Sequence, residues 1–484
     1  MRLEALLECT DYELIRGTLD KEAEALIYHS DESNKENNKG SVFFAIKGEK
    51  TDGHRFIKKL AVEGVRSFVV EDGDAEFPED ATVIRTADTR KALALASRNF
   101  FGRPDEELTV IGITGTKGKT GTSFMLKAIL ENAGIKTGII GTVKQGFWGH
   151  YKEAANTTPQ SFEIYSMLRE MADGGCEAVV MEVSSQALMQ QRTAGIEFDI
   201  GIFTNLSPDH IGEGEHKSFA EYTFWKSCIF RQSRIAVLNG DSEYSPIMLR
   251  NSKTEKAVFF GISQAEDIRT FRNGNALGSR FVFHGEEFTI PFPGEFNVYN
   301  AMAAMTAAHE LGIEYESMRE AFEELRIPGR TEVIPVAADY TVVLDYAHNG
   351  VAMQNLLEAL RVYQPERLVA VFGCGGERDR RRRTDMGEAA GTYADLSVIT
   401  SDNPRNEPPE RIIGDISDAL SRTGGKYVII PDRQKALEWS ITNAQKGDII
   451  AVCGKGHETY QIIGNNKSHF DDKEVILSII GRKK

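Results

Sequence analysis

Apolar positions recur along this chain in two rhythms. Short runs rich in β-branched and aromatic residues alternate with longer stretches in which apolar residues return every three or four positions. Near the start, residues 41–46 and 67–70 read as strands and residues 56–64 carry helical spacing. The polar run 31–39 reads as an exposed loop. From residue 108 strands and helices alternate. Residues 109–113 form a β-rich run. Residues 120–132 form a helix, with Phe124/Ala128 and Met125/Ile129 one turn apart and Gly134 as its stop. Residues 178–183, 198–203 and 235–238 are further buried-strand patterns, so a largely parallel sheet covered by helices is expected.

A hinge is expected at Ile327-Pro328-Gly329-Arg330, and beyond it the alternation restarts. Residues 342–345, 368–372, 396–400, 428–430 and 449–452 read as strands, separated by helical stretches such as 410–420 and 434–442. The expected fold class is α/β in three domains. These are a small mixed α/β N-terminal domain (1–103), a central parallel-sheet domain (104–328) that its Gly115-Thr116-Lys117-Gly118-Lys119-Thr120 stretch marks as a P-loop ATPase domain, and a C-terminal Rossmann-like domain (329–484). No internal repeat or low-complexity tract interrupts this plan.

Length agrees with several domains, since 484 residues exceed what one hydrophobic core organises. Hydrophobic residues at 41% and charged residues at 27% are ordinary for a globular protein. The net charge of -15 repels phosphate backbones, so no nucleic-acid partner is expected, although a basic pocket could still take small anions. The five cysteines are scattered without CxxC spacing, which argues against a disulfide framework or a zinc site. No signal-peptide core or long apolar stretch is present, so a cytoplasmic location with no membrane span is expected. A monomer is also expected.

The most informative segment is Gly115-Thr116-Lys117-Gly118-Lys119-Thr120-Gly121, which follows a strand and opens a helix. Glycines let backbone N–H groups close around phosphate oxygens, and the helix N-terminus adds partial positive charge. Lys119 suits β/γ-phosphate charge and Thr120 suits Mg²⁺. The general P-loop pattern would want glycine where Ile113 stands. The competing reading is a plain glycine-rich turn.

In this form the loop resembles that of the Mur ligase family, and the resemblance runs in order along nearly the whole chain. Asn156-Thr157-Thr158-Pro159 resembles the stretch that contacts a UDP-linked muramoyl substrate. The resemblance implies Ser30, Asn156, Thr157, Thr158, Ser184 and Arg192 for that ligand. Glu182, in Met181-Glu182-Val183-Ser184-Ser185, and His210, in Ser207-Pro208-Asp209-His210, are implied as metal ligands beside Thr120. Lys226 is implied to be carbamylated and thereby a fourth metal-binding group. Alone it reads as a solvated helix lysine. Lys119, Glu182, His210 and Lys226 form the implied catalytic set, with two Mg²⁺ ions as cofactors and ATP as co-substrate. Asn297, Asn300, Arg330 and Asp345 are implied in ATP binding, together with Gly115 to Gly121. Taken singly, Asn297 and Asn300 read as N-caps, Arg330 as a surface charge and Asp345 as a strand-end cap.

Asp402, Asn403 and Arg405 resemble the signature that marks use of meso-diaminopimelate, and Arg378, Gly454 and Glu458 complete the implied amino-acid site. Diaminopimelate carries a second carboxylate that lysine lacks, and a guanidinium binds carboxylate bidentately. Arg380 to Arg383 read as a solvated loop, since no aromatic residues interleave them. Gln186, Ser207-Pro208 and Asn349-Gly350 resemble instead the lysine-adding branch. The expected activity is therefore ATP-dependent addition of meso-diaminopimelate to UDP-MurNAc-L-Ala-D-Glu through an acyl phosphate. L-lysine or ornithine is the alternative amino acid, and a folylpolyglutamate-synthase-like ligase is the more distant rival. A nucleotide switch and a silent nucleotide-binding scaffold are the readings from other classes.

Overall fold

The computed structural model describes residues 1–29, 38–48, 51–73, 75–154, 156–212, 215–323, 325–336 and 339–482. The chain divides into two compact units, one formed by residues 1–260 and 303–312, the other by residues 261–302 and 313–484.

The first unit holds two sheets. The smaller has the strand order Glu13–Arg16, Thr82–Arg85, Ser67–Val70, Ser41–Phe44, Ala25–Ile27. Its first pairing is antiparallel and the rest are parallel. The helix Thr89–Phe100 begins at Asp88, whose carboxylate accepts the Arg90 and Lys91 N–H groups as an N-cap. At the end of the run expected to be an exposed loop, Asn38 is instead buried and donates to the Glu63 carbonyl at 2.9 Å.

The larger sheet has the order Lys256–Phe260, Ser233–Asn239, Phe198–Phe203, Thr109–Thr114, Ala178–Glu182, Thr137–Ile140, Gln145–Phe147, His150–Lys152. The first six strands are parallel and the last two turn back as an antiparallel meander. Strand Thr109–Thr114 is fully buried beyond its first residue, as a central parallel strand with helices on both faces must be. Its neighbours are in register with it, Glu182 opposite Ile113 and Phe203 opposite Thr114, so three strand ends finish level with one another. Ligands bind at such carboxyl ends in open α/β sheets.

The second unit has a six-stranded sheet in the order Glu332–Ile334, Thr341–Asp345, Ile449–Cys453, Leu368–Phe372, Leu396–Ile399, Tyr427–Ile429, parallel except for the first strand. Its strands alternate their side chains between two cores. Val343, Ala370 and Ala451 pack with helices Gly350–Arg361, Arg381–Tyr393 and Pro409–Arg422. Val342, Val371 and Val452 pack with helices Arg433–Thr442 and Asp472–Arg482. Such two-sided cover is the doubly wound arrangement, and the strand and helix expectations for this region hold.

Within this second unit, three antiparallel features of the described residues carried no expectation from sequence. They are the sheet Ala265–Asn273, Ala276–Phe283, Glu286–Ile290, the edge strand Glu332–Ile334 and the hairpin Tyr460–Ile463 with Asn466–His469. Among the described residues no helix is long and apolar enough to cross a membrane.

Candidate functional site

The loop after Thr114 turns through Gly115 (φ +152°) and Gly118 (φ +87°) into the helix Lys119–Asn132. At Gly115 a side chain would collide with Thr204 Oγ1, 1.9 Å from a Cβ built there. The end of strand Phe198–Phe203 braces the loop from the side. Asn205 accepts the Thr116 N–H through its backbone carbonyl and the Lys117 N–H through Oδ1, both at 2.9 Å. Thr204 Oγ1 donates to the Lys117 carbonyl at 2.7 Å, and Thr116 Oγ1 lies 3.0 Å from the Tyr222 hydroxyl.

Two lysines converge on the same loop. Lys119 Nζ donates to the carbonyls of Gly115 (2.8 Å) and Thr116 (3.3 Å). Lys226 Nζ donates to the Gly115 carbonyl at 2.8 Å and lies 4.6 Å from the centre of the Tyr222 ring. The expected solvated helix lysine is thus a buried one, 2% exposed. Burial, and secondarily the charge of Lys119, hold its amine well below the ordinary lysine range. Amphipathic spacing could not reveal this, because helix Phe219–Ser227 meets the loop, through Lys226 and Tyr222, only in three dimensions.

Glu182, at the end of its strand, is 1% exposed. Its Oε2 accepts from Thr120 Oγ1 (3.1 Å) and Thr142 Oγ1 (3.0 Å), and its Oε1 accepts the Thr142 N–H (3.0 Å). Hydroxyl and carboxylate oxygens side by side are a hard donor set that fits Mg²⁺. His210 is a different case. It sits on a loop at φ +54° with its side chain about half exposed, and its Nδ1 lies 3.0 Å from Glu215 Oε1. No described contact joins it to Glu182, and among the described residues no three His, Cys, Asp or Glu side chains converge as a metal site.

The residues expected to meet the muramoyl ligand gather around the same strand end. Thr157 Oγ1 lies 3.0 Å from Thr142 Oγ1, and Thr158 Oγ1 donates to the Glu182 carbonyl at 2.8 Å. Ser184 caps its helix and donates its N–H to Thr158 Oγ1 at 3.1 Å, while Arg192 Nη1 donates to the Thr158 carbonyl at 2.6 Å. The Asn156 carbonyl accepts from Gln145 at 3.0 Å. Ser30 lies outside the described residues. Thr142, which connects this group to Glu182, had no motif to mark it. Its one signal is a hydroxyl just past a buried strand.

In the second unit, Asn297 lies inside helix Glu295–Glu310 rather than at its cap. It donates to the Pro293 carbonyl (2.8 Å) and to Thr331 Oγ1 (3.1 Å), and Asn300 donates to Asn297 Oδ1 (3.2 Å). Asp345 accepts the Thr331 N–H at 2.7 Å, so Asn297 and Asp345 meet through one threonine. The Arg330 guanidinium lies 4.6 Å from the centre of the Tyr346 ring.

The expected amino-acid residues lie on three interlocked loops of that unit. Asn403 is 4% exposed. Its Nδ2 donates to Glu458 Oε2 at 2.8 Å and its Oδ1 accepts the Ile462 N–H at 2.9 Å. Lys455 and Tyr346 also reach Glu458. Burial, then the nearby Asp402, push the Glu458 carboxyl above the usual glutamate range. Gly454 (φ +106°) brings the backbone beside Asp402, whose Oδ2 would be 2.7 Å from a Cβ there. Arg405, half-buried at φ +53°, donates from Nη1 to the carbonyls of Gly376 (2.8 Å) and Asn403 (3.5 Å). Among the described residues it has no carboxylate partner. Arg378 is exposed near it. Arg383 departs from the expected solvated loop. Helix Arg381–Tyr393 starts there, and Arg383 is 1% exposed between Glu407 and Asp415. A run of like charges cannot show which member turns inward.

Comparison with known proteins matches three consecutive stretches to family descriptions. These are "Mur ligase family, catalytic domain" over residues 35–101, "Mur ligase middle domain" over 113–308, and "Mur ligase, glutamate ligase domain" over 329–456. A UDP-N-acetylmuramoyl-L-alanyl-D-glutamate--2,6-diaminopimelate ligase of Clostridium perfringens is 38% identical over 493 aligned residues, covering 100% of both chains. Its namesake from Aquifex aeolicus is 40% identical over 455 residues, covering 93% of this chain and 92% of that one. A solved structure bearing the same enzyme name superposes with a TM-score of 0.71 at 26% identity, covering 100% of this chain and 99% of that chain. A Mycobacterium tuberculosis folylpolyglutamate synthase complexed with ADP and AMPPCP shares the fold at TM-score 0.62 and 17% identity, over 81% of this chain and 95% of that one.

Proposed function

This chain belongs to the Mur ligase family, and from that membership and its site we infer that it joins meso-diaminopimelate to UDP-MurNAc-L-Ala-D-Glu with ATP as co-substrate. The observation that carries the choice of amino acid is Arg405. Among the described residues this half-buried guanidinium is held by backbone carbonyls and meets no countercharge, and the second carboxylate of diaminopimelate supplies one. The features shared with the lysine-adding branch, Gln186, Ser207-Pro208 and Asn349-Gly350, lie outside the three loops that hold Arg405.

In the proposed reaction the D-glutamate side-chain carboxylate attacks the γ-phosphorus of ATP, forming an acyl phosphate and releasing ADP. The amine of diaminopimelate then attacks the acyl carbon, phosphate leaves, and the amine gives up a proton as the amide forms. Positioning and charge stabilisation suffice, with no protein nucleophile. Lys119 serves the β/γ-phosphates from the loop of Gly115 to Gly121, whose turn is held in shape by Asn205 accepting the Thr116 and Lys117 N–H groups. Thr120 and Glu182 would hold Mg²⁺, with His210 and a carbamylated Lys226 implied for a second ion, and the bound ions supply further neutralisation of phosphate charge. Carbamylation joins Lys226 Nζ to the carbon of CO₂ with loss of a proton, turning a nitrogen donor into a hard oxygen one.

Asn156, Thr157, Thr158, Ser184 and Arg192, with Ser30, are proposed for the muramoyl ligand. Asn297, Asn300, Arg330 and Asp345 are proposed for the nucleoside of ATP. Asp402, Asn403, Gly454 and Glu458, with Arg378 and Arg405, are proposed for diaminopimelate. We propose domain limits at 1–103, 104–328 and 329–484, and the use of ATP and a UDP-linked precursor accords with the cytoplasm. The test is phosphate release from ATP with the UDP-muramoyl dipeptide and diaminopimelate, lysine or ornithine in turn. Release should require both the dipeptide and diaminopimelate. Preference for lysine would overturn the Arg405 argument.

A further inference from the structure

We propose that Arg383, through Glu407, is a positioning residue for the amino-acid pocket, setting the spacing between the loop that carries Arg378 and the loop that carries Arg405. The inference rests on the assignment of Arg405 to the amino-acid substrate. Arg383 leaves the first turn of helix Arg381–Tyr393 and turns inward. Its Nη2 donates to both Glu407 oxygens at 2.9 Å and its Nη1 donates to Asp415 Oδ2 at 2.8 Å. Glu407 then passes the restraint on, because its Oε1 also accepts the Glu377 N–H at 2.6 Å. Those two contacts, the backbone one first, hold the Glu407 carboxyl below the usual range.

Glu377 and Arg405 both stand in the left-handed region, at φ +55° and +53°. Non-glycine residues keep that conformation only where neighbours enforce it. For Arg405 the enforcement is its N–H on the Ile462 carbonyl (3.1 Å) and its carbonyl accepting from Gly464 (2.7 Å). For Glu377 it is Glu407. The two loops also touch directly. Gly376 donates its N–H to the Asn403 carbonyl at 2.9 Å, and a Cβ at Gly376 would stand 1.9 Å from the Pro404 carbonyl. Asn406 donates to Glu377 Oε1 at 2.8 Å. If Glu407 lets go, Glu377 loses its amide partner, and the Gly376 carbonyl that supports Arg405 moves with it. The fork meets Glu407 through Nη2 and Asp415 through Nη1, whereas lysine offers a single nitrogen, so Arg383→Lys keeps the charge and weakens the bridge.

The experiment is steady-state kinetics of Arg383→Lys, Glu407→Gln and Arg405→Ala, each titrated against diaminopimelate, ATP and the UDP-muramoyl dipeptide. The expected result for Arg383→Lys and Glu407→Gln is a KM for diaminopimelate raised by about tenfold or more, with the other two KM values within about twofold of wild type. Glu407→Gln keeps size and shape, so it reports even if the Arg383 variant does not fold. If both folded variants leave the diaminopimelate KM unchanged, or raise all three together, the positioning role is wrong. If Arg405→Ala also leaves that KM unchanged, the assignment of Arg405 falls and this inference with it. If Arg405→Ala raises it and the other two do not, only the present inference fails.

Discussion

Lys119 and Lys226 donate to one and the same oxygen, the carbonyl of Gly115, at 2.8 Å each. Two amines gathered on one acceptor at the tip of a phosphate loop need further anionic oxygens to be held charged together, since burial and the charge of Lys119 depress the Lys226 amine. This is the electrostatic demand that a triphosphate meets. Lys119→Ala should reduce ATP-dependent ligation by at least about a hundredfold. The check is phosphate release with all three substrates, and a near-wild-type rate would remove the loop from the mechanism.

Lys226→Arg tests the neighbouring amine. Arginine retains the positive charge but forms no carbamate. Activity should fall by about a hundredfold or more while nucleotide binding, measured by calorimetry, persists. Carbon-13 from labelled bicarbonate should give a carbamate resonance in the wild-type protein that is missing from the variant. A wild-type sample without that resonance under turnover conditions would show the lysine acting as a plain amine.

Glu458 gives a prediction in pH. Its carboxyl is raised above the usual range by burial and by Asp402, so its protonated form persists to higher pH than an ordinary glutamate. A carboxylate that receives the substrate ammonium is lost as pH falls through that raised value. The KM for diaminopimelate should therefore climb on acidification, with its inflection above the ordinary glutamate value. For stability the sign is opposite. The folded state binds this proton more tightly than the unfolded one, so the group favours the fold at low pH and the contribution fades as pH rises through the folded value. Glu458→Gln should flatten the KM profile, and an unchanged profile would exclude the residue from amine binding.

Arg433 and Asp472 form a two-pronged ion pair, Nε to Oδ1 at 2.8 Å and Nη2 to Oδ2 at 2.7 Å, with both residues buried. Arg433 also donates to the Cys453 carbonyl at 3.1 Å, directly before Gly454. Asp472→Asn leaves a buried guanidinium uncompensated and should lower stability by about 3 kcal/mol or more. Thermal melting in the absence of substrates measures this, and an unchanged melting temperature would show that water or a rearranged partner replaces the carboxylate.

Much of this site was legible in one dimension. The strand–loop–helix unit at residues 109–132 needs only a β-rich run, glycines and a helical period, all local properties of the chain. Glu182 could be placed because a polar residue closing an apolar strand ends up at the sheet's carboxyl edge. The antiparallel sheet within 265–290 was not foreseen. Its first strand exposes most of its residues and so shows neither rhythm clearly.

The sequence by itself determined the periodicities, the breaks between them and the chemical types available at each strand end, because those depend on backbone preferences over a few neighbouring residues. Tertiary structure alone decided which charges are withdrawn from water. Lys226 and Arg383 look solvated in the chain, and become buried through Gly115, Tyr222, Glu407 and Asp415, all but one of them well separated in sequence. The ionisation and orientation of a side chain follow from what surrounds it in space, and residues distant along the chain supply most of those surroundings.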